Sequence, residues 1–263
     1  MNRRPRVLVR GVAGLAVALW LAACSGSTGP DPLESEPPPR PAISPADFAL
    51  VPCGTGSGRP CALVLAGGKR LMFGAPAGAG SQAEPDDLAG LDALFLFSVH
   101  PLDIEGVDEI RNRGWRAGRA DALAVAGPEG AGALVDGLNA AYEQPDAISF
   151  IEDGAPAGGF DAALLSHGGD VTQDALIYDS GDLKVRATAS GTGQVTYRIR
   201  YRDLDEAWHD VVLRPCGGGP AGEDASGARV QDSLVIGCTD EDAGAPDHAW
   251  PLDRVIFATR SDR

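Results

Sequence analysis

His100 is the residue of this sequence with the most reactive neighbourhood. Ser98 precedes it by two positions and Asp103 follows it by three, in the run Ser98-Val99-His100-Pro101-Leu102-Asp103. Two chemistries use such groups. An imidazole can take the proton of a nucleophilic hydroxyl, or imidazole nitrogen and carboxylate oxygen can hold a metal ion. The first lacks its usual frame, because no G-x-S-x-G elbow occurs and a Ser near a His is a pair that any strand end can contain. Gly54 to Gly58 is glycine-rich but lacks the Gly-Lys-Ser/Thr ending of a phosphate-binding loop. Glu152 with Asp153, and Asp240-Glu241-Asp242, are acid clusters of the kind that form solvated surface. His209 and His248 stand in polar, loop-like contexts and His167 stands beside Gly168-Gly169, so each reads as an exposed or hydrogen-bonded histidine.

The five cysteines divide by position. Cys53, Cys61, Cys216 and Cys238 are even in number and allow three pairings. Cys53 with Cys61 and Cys216 with Cys238 is the favoured set, since each pair falls on neighbouring predicted strands. Zinc binding by these thiols is the alternative, and no C-x-x-C spacing supports it. Cys24 belongs to a different pattern. Arg3, Arg4, Arg6 and Arg10 precede an uncharged stretch from Gly11 to Ala23, which ends in Leu21-Ala22-Ala23-Cys24. This is the order of a signal peptide, and its end resembles a bacterial lipobox. The resemblance implies cleavage before Cys24 and lipidation of its sulfur. Two or three acyl chains on one residue anchor a protein stably where one does not.

The expected organisation is a signal peptide over 1–23, a lipidated Pro/Ser/Gly-rich tether over 24–46 and one domain over 47–263. The tether has too few large apolar side chains to fold, and its prolines keep it semi-extended. Ser25 resembles the second residue of outer-membrane lipoproteins, which in a Gram-negative host places the protein on the periplasmic face of the outer membrane. Residues 1–23 hold four arginines and no acid, so the charge after cleavage is (22 − 4) − 37 = −19. A field of that sign repels phosphate backbones, and nucleic acid is not an expected partner.

Elements must now position His100 and its neighbours. Ala62–Ala66 and Lys69–Phe73 are apolar runs two residues apart at Gly67-Gly68, which predicts a tight hairpin. Ala93–Phe97 predicts a buried strand, and Ile104–Arg113 a helix on the spacing of Ile104, Val107 and Ile110. Asp121–Ala126 predicts the next strand, with Pro128 opening a helix toward Tyr142. Further strands are predicted at Ala147–Ile151, Ala162–Leu165, Ala175–Tyr178, Leu183–Thr188, Val195–Tyr201, Val211–Leu213, Ser233–Ile236 and Val255–Ala258. In Val195–Tyr201 the apolar residues alternate with Thr196, Arg198 and Arg200, so the arginines face solvent.

In order, these segments resemble the metallo-β-lactamase fold in its ribonuclease Z and arylsulfatase-like branch. The glycine-rich loop Gly54–Pro60, "RLMFGAPAGAG", "LDALFLFSVHPLDIEGVDEI", "VAGPEGAGALVDGLNAAY" and "GDLKVRATASGTGQVTYRIRY" each resemble a landmark of that branch. The resemblance implies an α/β chain folded as an αββα sandwich of two mixed β-sheets with outer helices. It also implies a site where two zinc ions share a hydroxide, held by T-H-x-H-x-D-H and later ligands. Here Ser98, His100, Leu102 and Asp103 stand at the four ligand positions, with Gly106 as the motif's last glycine. The later positions fall near Ser190-Gly191, Pro215-Cys216 and Thr259-Arg260, and the Asp after the hairpin is Gly74. Only His100 matches, with Asp103 as a second weak candidate, and a stable site wants at least three protein ligands. The expectation is therefore an envelope-anchored, non-catalytic domain with no catalytic residue and no cofactor, binding a small molecule or an envelope protein. The alternatives are a divergent zinc-dependent hydrolase of phosphoesters or sulfate esters built on His100 and Asp103, or a purely structural envelope protein.

Overall fold

The computed structural model describes residues 40–54, 56–191, 193–215, 233–237 and 250–259, all within the compact unit Arg40–Arg263. Cys24 and the leader, Cys216, Cys238, His248 and the acidic run 240–242 lie outside the described residues. Strands β1 (Phe48–Pro52), β2 (Ala62–Ala66) and β3 (Lys69–Phe73) form an antiparallel meander. The β2–β3 turn has positive φ at both Gly67 (58°) and Gly68 (74°). Two such residues are what a two-residue hairpin of right-handed twist requires. Helices α1 (Ala79–Gln82) and α2 (Pro85–Ala89) lead to β4 (Ala93–Phe95), which is parallel to β3. Then follow α3 (Pro101–Ile104), α4 (Val107–Arg116), β5 (Leu123–Pro128), α5 (Ala131–Glu152) and β6 (Leu165–Val171). The remaining strands are β7 (Ala175–Asp179), β8 (Leu183–Ala189), β9 (Val195–Arg202), β10 (Trp208–Leu213), β11 (Leu234–Ile236) and β12 (Ile256–Phe257).

Two mixed sheets result, a seven-stranded one in the order β12-β1-β2-β3-β4-β5-β6 and a five-stranded one in the order β11-β10-β9-β8-β7. The main core lies between them. Phe48, Phe73, Phe95 and Phe97 of the first sheet meet Val185, Tyr197, Ile199 and Tyr201 of the second. Tyr197 is central, with ring centroids 5.1 Å from Phe73 and 5.4 Å from Phe97. Its hydroxyl donates to the Leu96 carbonyl at 2.6 Å. A second core under the helices joins Leu63, Met72, Leu94 and Val125 to Leu88, Val107, Ile110 and Val135. Among the described residues the α-helices pack on the seven-stranded sheet, while Arg186, Arg200, Arg202 and Trp208 stand exposed on the five-stranded one. The expected alternation in β9 holds, with Val195, Tyr197, Ile199 and Tyr201 buried.

Several boundaries differ from the sequence expectation. Ala147–Ile151 is not a strand but the last part of α5, a helix of 22 residues. Pro145 removes one backbone donor inside that helix, and the buried ion pair between Arg111 of α4 and Asp146 fixes the turn around it. Pro128 closes β5 instead of opening α5, which begins only after Gly130 at φ 101°. The helix starts there because Asp170 of β6 accepts from the amides of Gly130 (3.4 Å) and Gly132 (3.2 Å), supplying the cap that the sequence before α5 lacks. The predicted helix 104–113 is two helices, α3 and α4, split at Glu105-Gly106. Ala162 and Ala163 form a short 3-10 helix, not the start of a strand.

Tyr197 provides a test of the inter-sheet core. Burial pushes its hydroxyl well above the usual value, so it is a neutral donor at every physiological pH. Tyr197→Phe leaves the buried Leu96 carbonyl without this partner and should cost about 1–3 kcal/mol. Urea denaturation should show a lower midpoint with an unchanged slope.

Candidate functional site

The parallel strands β3, β4 and β5 bring their C-terminal ends to one edge, where open α/β sheets place their functional loops. Backbone bonds assemble that edge. The Val195 amide donates to the Phe97 carbonyl at 2.8 Å, which brings the turn at Ser190–Gln194 beside the end of β4. The Gly106 amide donates to the Ala75 carbonyl at 2.8 Å, and a Cβ on Gly106 would sit 2.2 Å from the Pro76 carbonyl oxygen. Gly74 is equally constrained, because a Cβ there would lie 2.0 Å from the Pro60 carbonyl oxygen. Gly74 and Gly106 are thus steric requirements of how the loop before β2 and the start of α4 pack on the segment after β3.

At this edge Ser98 and Asp103 are buried and joined. The Ser98 hydroxyl donates to Asp103 Oδ2 and accepts from the His100 amide at 3.0 Å. Asp103 Oδ1 faces Arg59 Nη1 at 3.4 Å. Arg59 is carried by the loop that the Cys53–Cys61 disulfide closes, with Cα atoms 5.2 Å apart. The expected Cys53–Cys61 pairing is therefore present. The same loop meets Trp250, whose amide donates to the Gly58 carbonyl at 3.1 Å and whose indole N–H donates to the Arg214 carbonyl at 2.9 Å. The Trp250 ring packs on Phe97 at 6.1 Å and is nearly fully buried.

Asp103 and His100 do not converge on a shared ligand position. Asp103 spends one oxygen on Ser98 and the other on Arg59. His100 is exposed and caps α3, its Nδ1 accepting from the Leu102 amide at 3.3 Å. Leu102 is 43% exposed and has no donor atom. Thr259 is not at this edge at all, because it accepts from the Phe48 amide at 3.2 Å at the hairpin end of the sheet. Cys216 and Arg260 lie outside the described residues. Among the described residues no three His, Cys, Asp or Glu side chains are grouped so as to hold a metal ion. A hydroxyl, a spent carboxylate and a leucine do not fit a two-zinc site.

His167 and His209 are hydrogen-bonded, as expected, but His209 lies in strand β10 and not in a loop. His167 Nε2 lies 3.0 Å from Asp170 and His209 Nε2 lies 2.7 Å from Asp203. Burial pushes Asp170 up, but His167 and the amides of Gly132 and Gly130 outweigh it and hold it below the usual value. The His209 bond, helped by the amides of Ala207 and Asp205, holds Asp203 below its usual value too. Sequence reasoning missed Arg59 and Trp250 as occupants of the edge. Arg59 had one legible signal, an arginine ending the glycine-rich loop in a chain whose histidine position holds an Asp.

Among solved structures, the long form of RNase Z from yeast superposes with a TM-score of 0.51 over 78% of this chain, at 9% identity. The chain has the metallo-β-lactamase fold. It covers 36% of that yeast protein's length. Also similar are the short form of human tRNase Z, with a TM-score of 0.44 at 12% identity over 72% of this chain and 74% of that one, and the metallo-β-lactamase fold protein YhfI of Bacillus subtilis, with 0.41 at 15% over 65% and 63%. At such identities the likeness is one of fold alone. No protein-family model matches the sequence, and no curated protein matches it.

Two outcomes follow from this geometry. Asp103→Ala removes the acceptor of a buried hydroxyl and should destabilise by about 1–3 kcal/mol. Arg59→Gln, at a partly exposed pair, should cost about 1 kcal/mol or less; denaturation midpoints read both. For the surface pair, a depressed Asp203 contributes stability that is complete above the ordinary aspartate value near pH 4 and is lost as pH falls through the lower folded value. Asp203→Asn should accordingly flatten the acid limb of a melting-temperature profile between pH 5 and pH 2.

Proposed function

We propose that this chain is an envelope lipoprotein, anchored through Cys24, whose metallo-β-lactamase-like domain is non-catalytic and binds a ligand or an envelope partner. The observation that carries the reading is the pairing of Asp103 with Ser98 and Arg59 where the resemblance places metal ligands. An arginine is always protonated and coordinates no metal, so it supplies the countercharge that a cation would otherwise give a carboxylate. Trp250 supports the same reading, since its buried indole packs on Phe97 and its amide holds the disulfide loop that carries Arg59. The leader pattern ending at Cys24 supports the anchor, and the net charge favours partners other than polyanions.

The reading is tested on protein purified from its native envelope without chelator. Elemental mass spectrometry should find less than a stoichiometric amount of zinc, and a generic phosphodiester should not be turned over. Stoichiometric zinc that disappears in His100→Ala, together with turnover, would establish the divergent hydrolase instead. The anchor has its own readout: label from a radioactive fatty acid should enter the protein and be absent from Cys24→Ser.

A further inference from the structure

The opposite end of the seven-stranded sheet carries a feature unrelated to the Asp103 edge. A cleft of about 610 Å³ opens between the β2–β3 hairpin, the N-terminus of α2 and the segment Arg40–Pro45. That volume suits a small ligand. Its charged lining consists of the cations Arg40, Lys69 and Arg70 and the acids Glu84, Asp86 and Asp87. Ile43, Pro45 and Leu65 give it an apolar wall.

The charges are equal in number but unequally used. Asp87 is buried and takes both Arg40 Nη1 and Arg70 Nε, the latter at 3.1 Å. Lys69 is held at 3.0 Å by Asp92, which also accepts from the Arg70 amide at 2.8 Å. Two guanidiniums therefore share one carboxylate, each spending a single nitrogen on it and keeping further N–H groups for another acceptor. Glu84 and Asp86 are exposed and form no ion pair with any described residue. The cleft thus offers guanidinium donors beyond those that Asp87 uses, together with two carboxylates that have no cation among the described residues. A pure anion would meet Glu84 and Asp86, and a pure cation would meet the guanidiniums, so either is disfavoured by like charge.

We propose that this cleft binds a zwitterionic small molecule of the short-peptide class. The ligand's carboxylate faces Arg40, Lys69 and Arg70, its ammonium faces Glu84 and Asp86, and an apolar side chain lies on Ile43, Pro45 and Leu65. The site is independent of the chemistry at Asp103, so an active hydrolase would leave it standing.

The probe is L-alanyl-L-leucine, titrated calorimetrically into the full chain carrying Cys24→Ser. Saturable binding at one equivalent is expected. Acetylating the dipeptide's amine or amidating its carboxylate should each weaken binding about fivefold, the worth of one partly exposed ion pair. In Glu84→Gln/Asp86→Asn the acetylated and free dipeptides should bind alike, and in Arg40→Gln the penalty for amidation should shrink, by the logic of a mutant cycle. A single cooperative melting transition confirms that the variants fold, with Arg40→Gln melting lower because Asp87 loses one of its two countercharges. No saturable heat up to about 10 mM, or equal binding of free and doubly blocked dipeptide, would overturn the proposal. Glycerophosphoethanolamine binding more tightly than the dipeptide would overturn the peptide assignment in favour of a lipid headgroup.

Discussion

A carboxylate taken out of water must meet a countercharge or lose its own charge, because desolvation costs several kcal/mol that only close pairing returns. Among the described residues three aspartates are buried, and each is met by arginine: Asp87 by Arg40 and Arg70, Asp103 by Arg59, and Asp146 by Arg111. The chain holds 22 basic residues against 37 acidic ones, so these pairings use a scarce resource where it is most needed. Each ties separate parts of the chain together. Asp87 joins α2 to the segment before β1, Asp103 joins α3 to the disulfide loop, and Asp146 joins α5 to α4. Arg119 extends the last of these. Burial, with Arg111 nearby, lowers it to about 10, which leaves it charged at neutral pH, and carbonyls of Arg111, Asp121 and Ala162 receive its donors.

The edge at Ser98 and Asp103 is shaped by packing that involves no charged group. Tyr197 pins the two sheets together at Leu96, two residues before Ser98, and the close approaches at Gly74 and Gly106 set the paths of the loops on either side. Those constraints are steric and depend on no metal. The side chains that project from this frame are a different matter, since Ser98, Asp103 and Arg59 satisfy one another and Trp250 packs on Phe97 while bonding Gly58. A scaffold held by aromatic packing and backbone bonds can therefore persist while the groups at its edge turn inward.

The legible parts of the sequence were those governed by local pattern. The Gly67-Gly68 hairpin and the alternation in β9 follow from turn geometry and a period of two; the hairpin strands were read to the residue, and β9 runs one residue further, to Arg202. The helices α1 and α2 have four and five residues, too few for a helical period to register. The end of α5 was misread because Ala147, Ile148, Phe150 and Ile151 make a short apolar run, while the bond that keeps it helical reaches 35 residues back to Arg111. At the edge, that Ser98 is a poor metal ligand and Leu102 has no donor atom was visible in the sequence itself. What Asp103 does instead depends on Arg59, 44 residues away, and no spacing rule joins them.

The central claim is that Asp103 is compensated from within the chain rather than by a bound cation. A ligand that binds the native state raises its melting temperature, by about 2.7 kcal/mol of stability at a hundredfold excess over Kd. Calorimetric melting of the chelator-stripped protein, repeated with increasing zinc, measures this directly. The account predicts a melting temperature that does not respond to one or two equivalents of zinc. A rise of about 5 °C or more, saturating at those equivalents and absent in Asp103→Asn, would contradict it.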